Sequence, residues 1–206
     1  MKKLFVLTLA LSSTILGFSQ TESRKPDHKF RFGFNIGTSY SNLQSKETFP
    51  VYAKISNGVG LGLGVFMDYS ISKSIFISPI FELSYNSCSV EFNKDIDYAT
   101  TTYKILPFSL DLMTHIHYKM NNRKMKPYLY TGPNFKIPLT GKQKSKTDIK
   151  TNPDFAIDFG IGFENKMRYF IFAPELRYSL GLLNINQHPI LPDLYFNKIS
   201  LILNFK

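Results

Sequence analysis

Across eight segments that follow His28, apolar residues recur with a period of two against a mostly polar face, the period of a strand whose two faces meet different surroundings. In His28–Ser41, Phe30, Phe32, Phe34, Ile36 and Tyr40 share one face, and Lys29, Arg31, Gly33, Asn35, Gly37 and Ser39 share the other. In 58–69, Val59, Leu61, Leu63, Val65, Met67 and Tyr69 alternate with Gly58, Gly60, Gly62, Gly64, Phe66 and Asp68. The same pattern predicts strands over 74–86, 106–118, 128–137, 155–164, 170–182 and 198–205, where Leu201, Leu203 and Phe205 oppose Ser200 and Asn204. No stretch after the first 19 residues approaches the ~18 uninterrupted apolar residues of a membrane helix.

The connections discriminate among all-β architectures. Long segments near 42–56, 87–100, 140–153 and 184–196 alternate with turns at 71–73, 119–125 and 165–167. A soluble sandwich or lipocalin-type barrel has no reason to keep that rule, whereas transmembrane barrels pair short periplasmic turns with long outer loops. On the apolar face, Tyr40 and Tyr85 fall at the long-loop ends of their strands and Tyr69 and Tyr118 at the short-turn ends. Two aromatic girdles at the membrane interfaces account for that placement. The expected fold is all-β: an eight-stranded antiparallel up-and-down transmembrane β-barrel over residues 28–206.

The start of the chain supplies the route to a membrane. Lys2 and Lys3 precede an apolar core at Leu4–Leu11, and Gly17 and Ser19 stand at the −3 and −1 positions of a cleavage site before Gln20, with no cysteine there to receive a lipid. Residues 1–19 read as a secretory signal peptide and 20–27 as a short N-terminal extension. The chain carries a net charge of +10, and losing Lys2 and Lys3 leaves +8 for the mature protein. Cys88 is the sole cysteine, which removes internal disulfides and cysteine-based zinc or iron–sulfur sites and leaves four histidines and the carboxylates for any metal. Neither metal nor cofactor is expected.

Several segments resemble the PorT-like outer-membrane β-barrel family of Gram-negative bacteria: RFGFNIG, GLGVFMDYSISKSIFISPIFELSY, KPYLYTGPNF, FGIGFE followed by PELRYSLGLLNI, and KISLILNF. PELRYSLGLLNI is the most specific of these, and the resemblance covers most of residues 28–206. It implies eight antiparallel strands in the outer membrane and a link to envelope or secretion machinery, with no activity assigned to most members. One departure is Lys206 following Phe205, where barrel chains commonly place an aromatic residue last.

Eight strands enclose a space just wide enough for their own side chains. The polar faces assign Lys29, Arg31, Asp68, Glu82, Asp111, His115, His117, Asp158, Glu164, Glu175 and Arg177 to the interior. Mixed charges there must pair or be neutralised, so a structural network is expected, with Glu175 and Arg177, adjacent on one strand face, as a pair at its centre. The glycines at 58, 60, 62 and 64 lack the strand–turn–helix context of a nucleotide loop and are expected to leave packing room for Tyr128, Tyr130 or Phe76.

An outer-membrane lipid hydrolase or acyltransferase is the alternative function. It would draw on Asp111, His115 and His117, or on His188 with Ser179, but the fourth strand carries its histidines toward the short-turn side and no acid lies near His188 in sequence. No nucleic-acid motif accompanies the basic charge. The expected role is non-enzymatic: a monomeric structural or binding module that works through its outer loops. The third outer loop, Thr140–Pro153, holds Lys142, Lys144, Lys146 and Lys150 against Asp148 alone, a set suited to lipopolysaccharide phosphates.

Overall fold

A computed structural model describes residues 29–45, 53–93, 100–120, 126–139, 151–186 and 192–206. Eleven strands form: β1 (Phe30–Gln44), β2 (Ala53–Ser56), β3 (Gly58–Ser70), β4 (Ile75–Tyr85), β5 (Ser89–Asn93), β6 (Thr100–Lys104), β7 (Phe108–Lys119), β8 (Lys126–Pro138), β9 (Asp154–Lys166), β10 (Ile171–Gly181) and β11 (Tyr195–Phe205). Eight of them close a barrel in the order β1-β11-β10-β9-β8-β7-β4-β3, each antiparallel to its neighbours. Closure is made by β1 against β11, from Phe34 opposite Phe205 to Gln44 opposite Tyr195. The eight predicted segments are these eight strands.

The direction of the alternation fixes the kind of barrel. Phe32 is 72% exposed and Val59 63%, and Leu61, Leu63, Phe81, Ile116, Ile161, Leu176, Ile199 and Leu201 also face outward. The inward positions are buried and mostly polar, among them Asn35, Asp68, Glu82, Asp111, Asp158, Arg177 and Lys198. A barrel in water would bury the first set; an apolar outer wall around a polar interior suits a lipid surround.

The sequence pattern does not reveal a second sheet. β2, β5 and β6 pair antiparallel in the order β2-β5-β6 outside the barrel, within the segments expected to be plain long loops. With only four or five residues each, they show too little alternation to be read. Where these segments meet the barrel, Leu43, Cys88, Val90, Ile105, Leu106, Ile185, Leu194 and Phe196 form a buried apolar cluster, against which Ala53 and Ile55 pack. Every barrel residue in it belongs to a long-loop end, so the cluster lies across that end of the barrel. Leu106 holds a left-handed backbone (φ 50°), and its carbonyl accepts a hydrogen bond from the Asn86 side chain at 3.2 Å. That conformation is costly for a branched residue, and burial of the Leu106 side chain holds it in place.

Candidate functional site

The inward face of each strand supplies one side chain every second residue, about 7 Å apart along the strand. Partners therefore come from other strands. The contacts fall into three levels between the short turns and the long loops.

At the short-turn end, the Lys206 ammonium lies 2.8 Å from Asp68 and 3.2 Å from Glu164, and Lys119 reaches Glu164 at 2.9 Å. Arg31 approaches Glu164 at 4.0 Å, and Ser78 donates a hydrogen bond to Asp68 at 2.6 Å. The Lys206 side chain thus turns into the barrel, while Phe205 stacks outside on Phe34 at 5.0 Å between ring centres. Phe76 stacks on His117 at 4.2 Å.

In the middle, Arg177 donates from Nη2 to both Glu82 oxygens at 2.7 and 2.9 Å, and from Nη1 to the Met113 sulfur at 3.1 Å. Its Nε lies 3.9 Å from Asp158. Asp158 in turn stands 3.0 Å from His115 Nε2 and accepts from Asn134 at 3.1 Å. The Tyr128 hydroxyl donates to Glu175 at 2.5 Å. Toward the long loops, Lys198 bonds Asp111 at 3.0 Å and Ser84 at 3.2 Å, and Lys136 bonds Asp154 at 3.0 Å.

Most of the predicted interior residues lie where the alternation puts them: Asp68, Glu82, Asp111, His115, His117, Asp158, Glu164, Glu175 and Arg177 are buried. Other expectations need correction. Lys29 is exposed and Arg31 half-buried, because both sit in the open short-turn mouth. Arg177 pairs with Glu82 across the barrel, not with Glu175 on its own strand, whose partner is Tyr128; the strand spacing keeps residues two apart from meeting head on.

The glycines at 58, 60, 62 and 64 do not make room for the large rings. A Cβ at Gly62 would meet Glu82, and one at Gly64 would meet the Asn35 side chain. Tyr130 and Tyr128 lie instead over Gly160 and Gly162 of β9. Sequence reasoning left Lys136, Asp154, Lys198 and Lys206 out of the interior, although Lys136 and Lys198 stand on the polar faces of their strands.

One predicted set falls outside the described residues, and another is not assembled. Lys142, Lys144, Lys146, Lys150 and His188 lie outside the described residues. Asp111 bonds Lys198, Ser84 and Ser109 and makes no contact with His115. No serine or cysteine is hydrogen-bonded to His115 or His117 among the described residues, and neither ring nitrogen of His117 has a partner there. Among the same residues, no group of three or more metal-ligating side chains comes together. What the interior geometry can do is hold opposite charges at fixed separations. Among the described residues, a cavity of about 650 Å³ opens at the short-turn mouth, lined in part by Lys29, Arg31, Lys119 and Glu164.

The solved structures include barrels of the same kind. Neisserial surface protein A superposes with a TM-score of 0.53 at 11% identity, covering 85% of this chain and 96% of that one. The outer membrane protein OprG from Pseudomonas aeruginosa gives 0.46 at 14% identity, covering 85% and 91%. At 11% identity the likeness to Neisserial surface protein A is one of fold. No curated protein matches the sequence. The model of the outer membrane protein beta-barrel domain matches residues 18–187, which include seven of the eight barrel strands. With its closed eight-stranded wall, apolar outside and polar within, the chain belongs to the outer membrane protein beta-barrel domain family.

Proposed function

We propose that the protein is a closed outer-membrane barrel acting as a structural or binding module through its long loops, and that it does not conduct solutes. The observation that carries this reading is the filling of the interior: the paired charges occupy its middle and the apolar cluster lies across its long-loop end. In this reading the signal peptide is removed before Gln20, the short turns face the periplasm, and the monomer displays its long loops outside. The PorT-like resemblance adds an association with envelope or secretion machinery. Lys142, Lys144, Lys146 and Lys150 add contact with lipopolysaccharide phosphates.

Against a lipid-modifying enzyme stands the placement of His115 and His117, buried toward the short-turn end without a nucleophile bonded to either. Trypsin added to intact cells tests the orientation: it should cut within 140–153 and spare 121–125. Cleavage at Lys124 with Lys144 protected would overturn it. Replacing the four loop lysines with Gln should weaken binding to lipopolysaccharide at low salt, since each exposed Lys contributes about 1 kcal/mol near an anionic surface. Unchanged affinity would remove the lipopolysaccharide contact. Isolation from gently solubilised membranes should bring down a stoichiometric envelope protein, and its absence would remove the machinery role.

A further inference from the structure

The short-turn mouth differs from the rest of the interior in its charge balance. Its cavity of about 650 Å³ is lined by Lys29, Arg31, Lys73, Lys119, Lys126 and Lys166, with Glu164 the one acidic lining residue among those described. Glu164 is already engaged by Lys119 at 2.9 Å, Lys206 at 3.2 Å and Arg31 at 4.0 Å. Among the described residues, Lys29, Lys73, Lys126 and Lys166 have no carboxylate within ion-pair distance, in contrast with Lys136 and Lys198 deeper in the barrel, each held on an aspartate.

Strand parity places these charges toward the mouth. Lys29 and Arg31 continue the inward face of β1 that includes Asn35, Lys119 that of His115 and His117, Lys126 that of Tyr128 and Tyr130, and Lys166 that of Glu164. The described turns at 71–74 and 167–170 add Arg168 and no acidic residue. Phe76, Ile71 and Met120 supply apolar surface within the same cavity, and Phe76 also carries the Lys119 ammonium over its ring at 4.4 Å.

We infer that this mouth is a binding site for a compact soluble polyanion of the oligophosphate class. A pocket of this volume matches a small molecule. Several lysines around a ring act as separate point charges, which suits a ligand carrying multiple phosphate groups better than a single carboxylate held by an arginine fork. Phosphates of lipid headgroups share this chemistry, but they lie outside the ring of strands, whereas Lys29, Arg31, Lys119, Lys126 and Lys166 follow its inward face. The site is separate from the loop surface of the proposed function and is tested on purified protein, so neither reading depends on the other.

The test is calorimetric titration of inorganic tripolyphosphate into the barrel refolded in maltoside micelles. Saturable one-to-one binding that weakens with added salt is expected. The variant Lys73→Gln/Lys126→Gln/Lys166→Gln should weaken it by about tenfold or more. Lys142→Gln/Lys144→Gln/Lys146→Gln, which removes equal charge at the other end, should leave it unchanged. Heat-modifiable mobility of both triple variants verifies folding, and the mouth positions are exposed, so the substitutions are tolerated. No binding, or equal loss in both variants, would overturn the site. So would protein in phosphatidylglycerol nanodiscs responding to the mouth substitutions while tripolyphosphate does not bind in micelles, which would assign the lysines to lipid headgroups.

Discussion

At the scale of single residues, Arg177 has the most to lose by removal. Its guanidinium is buried and neutralises Glu82 while lying near Asp158. Arg177→Ala should lower stability by about 3–5 kcal/mol, because removing one partner strands a buried charge. Replacing both partners, as in Arg177→Met with Glu82→Gln, should recover much of that loss. Urea midpoints followed by circular dichroism in micelles would show it, with the exposed Lys54→Ala as a neutral reference. Equal midpoints for Arg177→Ala and Lys54→Ala would mean that the charges are not a stabilising network. Cys88 offers a separate probe outside the membrane span. Burial pushes its thiol up to about 11, so at pH 8 it stays protonated and enclosed in the apolar cluster. Iodoacetamide should label it only after unfolding or as the pH approaches that value, as read by mass spectrometry; rapid labelling of the native protein at pH 8 would show the cluster to be open.

At the scale of elements, β8 and β9 fit ring against gap. Tyr130 lies where a Gly160 side chain would project, and Tyr128 where that of Gly162 would. Gly160→Val should therefore cost about 1–3 kcal/mol by overpacking. In a Tyr130→Ala background the penalty should shrink, and a double-mutant cycle on urea midpoints reads the coupling. Additive penalties would mean that the ring and the glycine do not share that space. The strands themselves were legible in the sequence because a barrel wall imposes a period of two on every residue. The pairing of rings with glycines was not, since alternation names the face of Gly160 but not the strand whose tyrosine reaches it. β2, β5 and β6 escaped for a different reason: each is held by its neighbours in the loop sheet, and β2 and β5 also by the cluster at the long-loop end, with too few residues to show a pattern of their own.

At the scale of the whole molecule, the sequence pattern identifies the wall and not the wiring inside it. Glu82 and Arg177 are 95 residues apart in sequence and meet only because the sheet closes. The polar alternation put both in the interior, yet the pairing of Arg177 with Glu175 suggested by sequence proximity does not occur. Lys206 shows the same gap: a departure from the aromatic ending in sequence, and in three dimensions the partner of Asp68 and Glu164. The central claim is that these cross-barrel pairs and the apolar cluster close the interior to solutes, leaving one mouth at the short-turn side. Single-channel recording in planar bilayers tests it most directly. The intact protein should insert without resolved, lasting conductance steps, because Arg177 is buried in the middle of the interior and Phe196 in the cluster at the long-loop end; steady ohmic steps from the wild-type monomer would contradict the account.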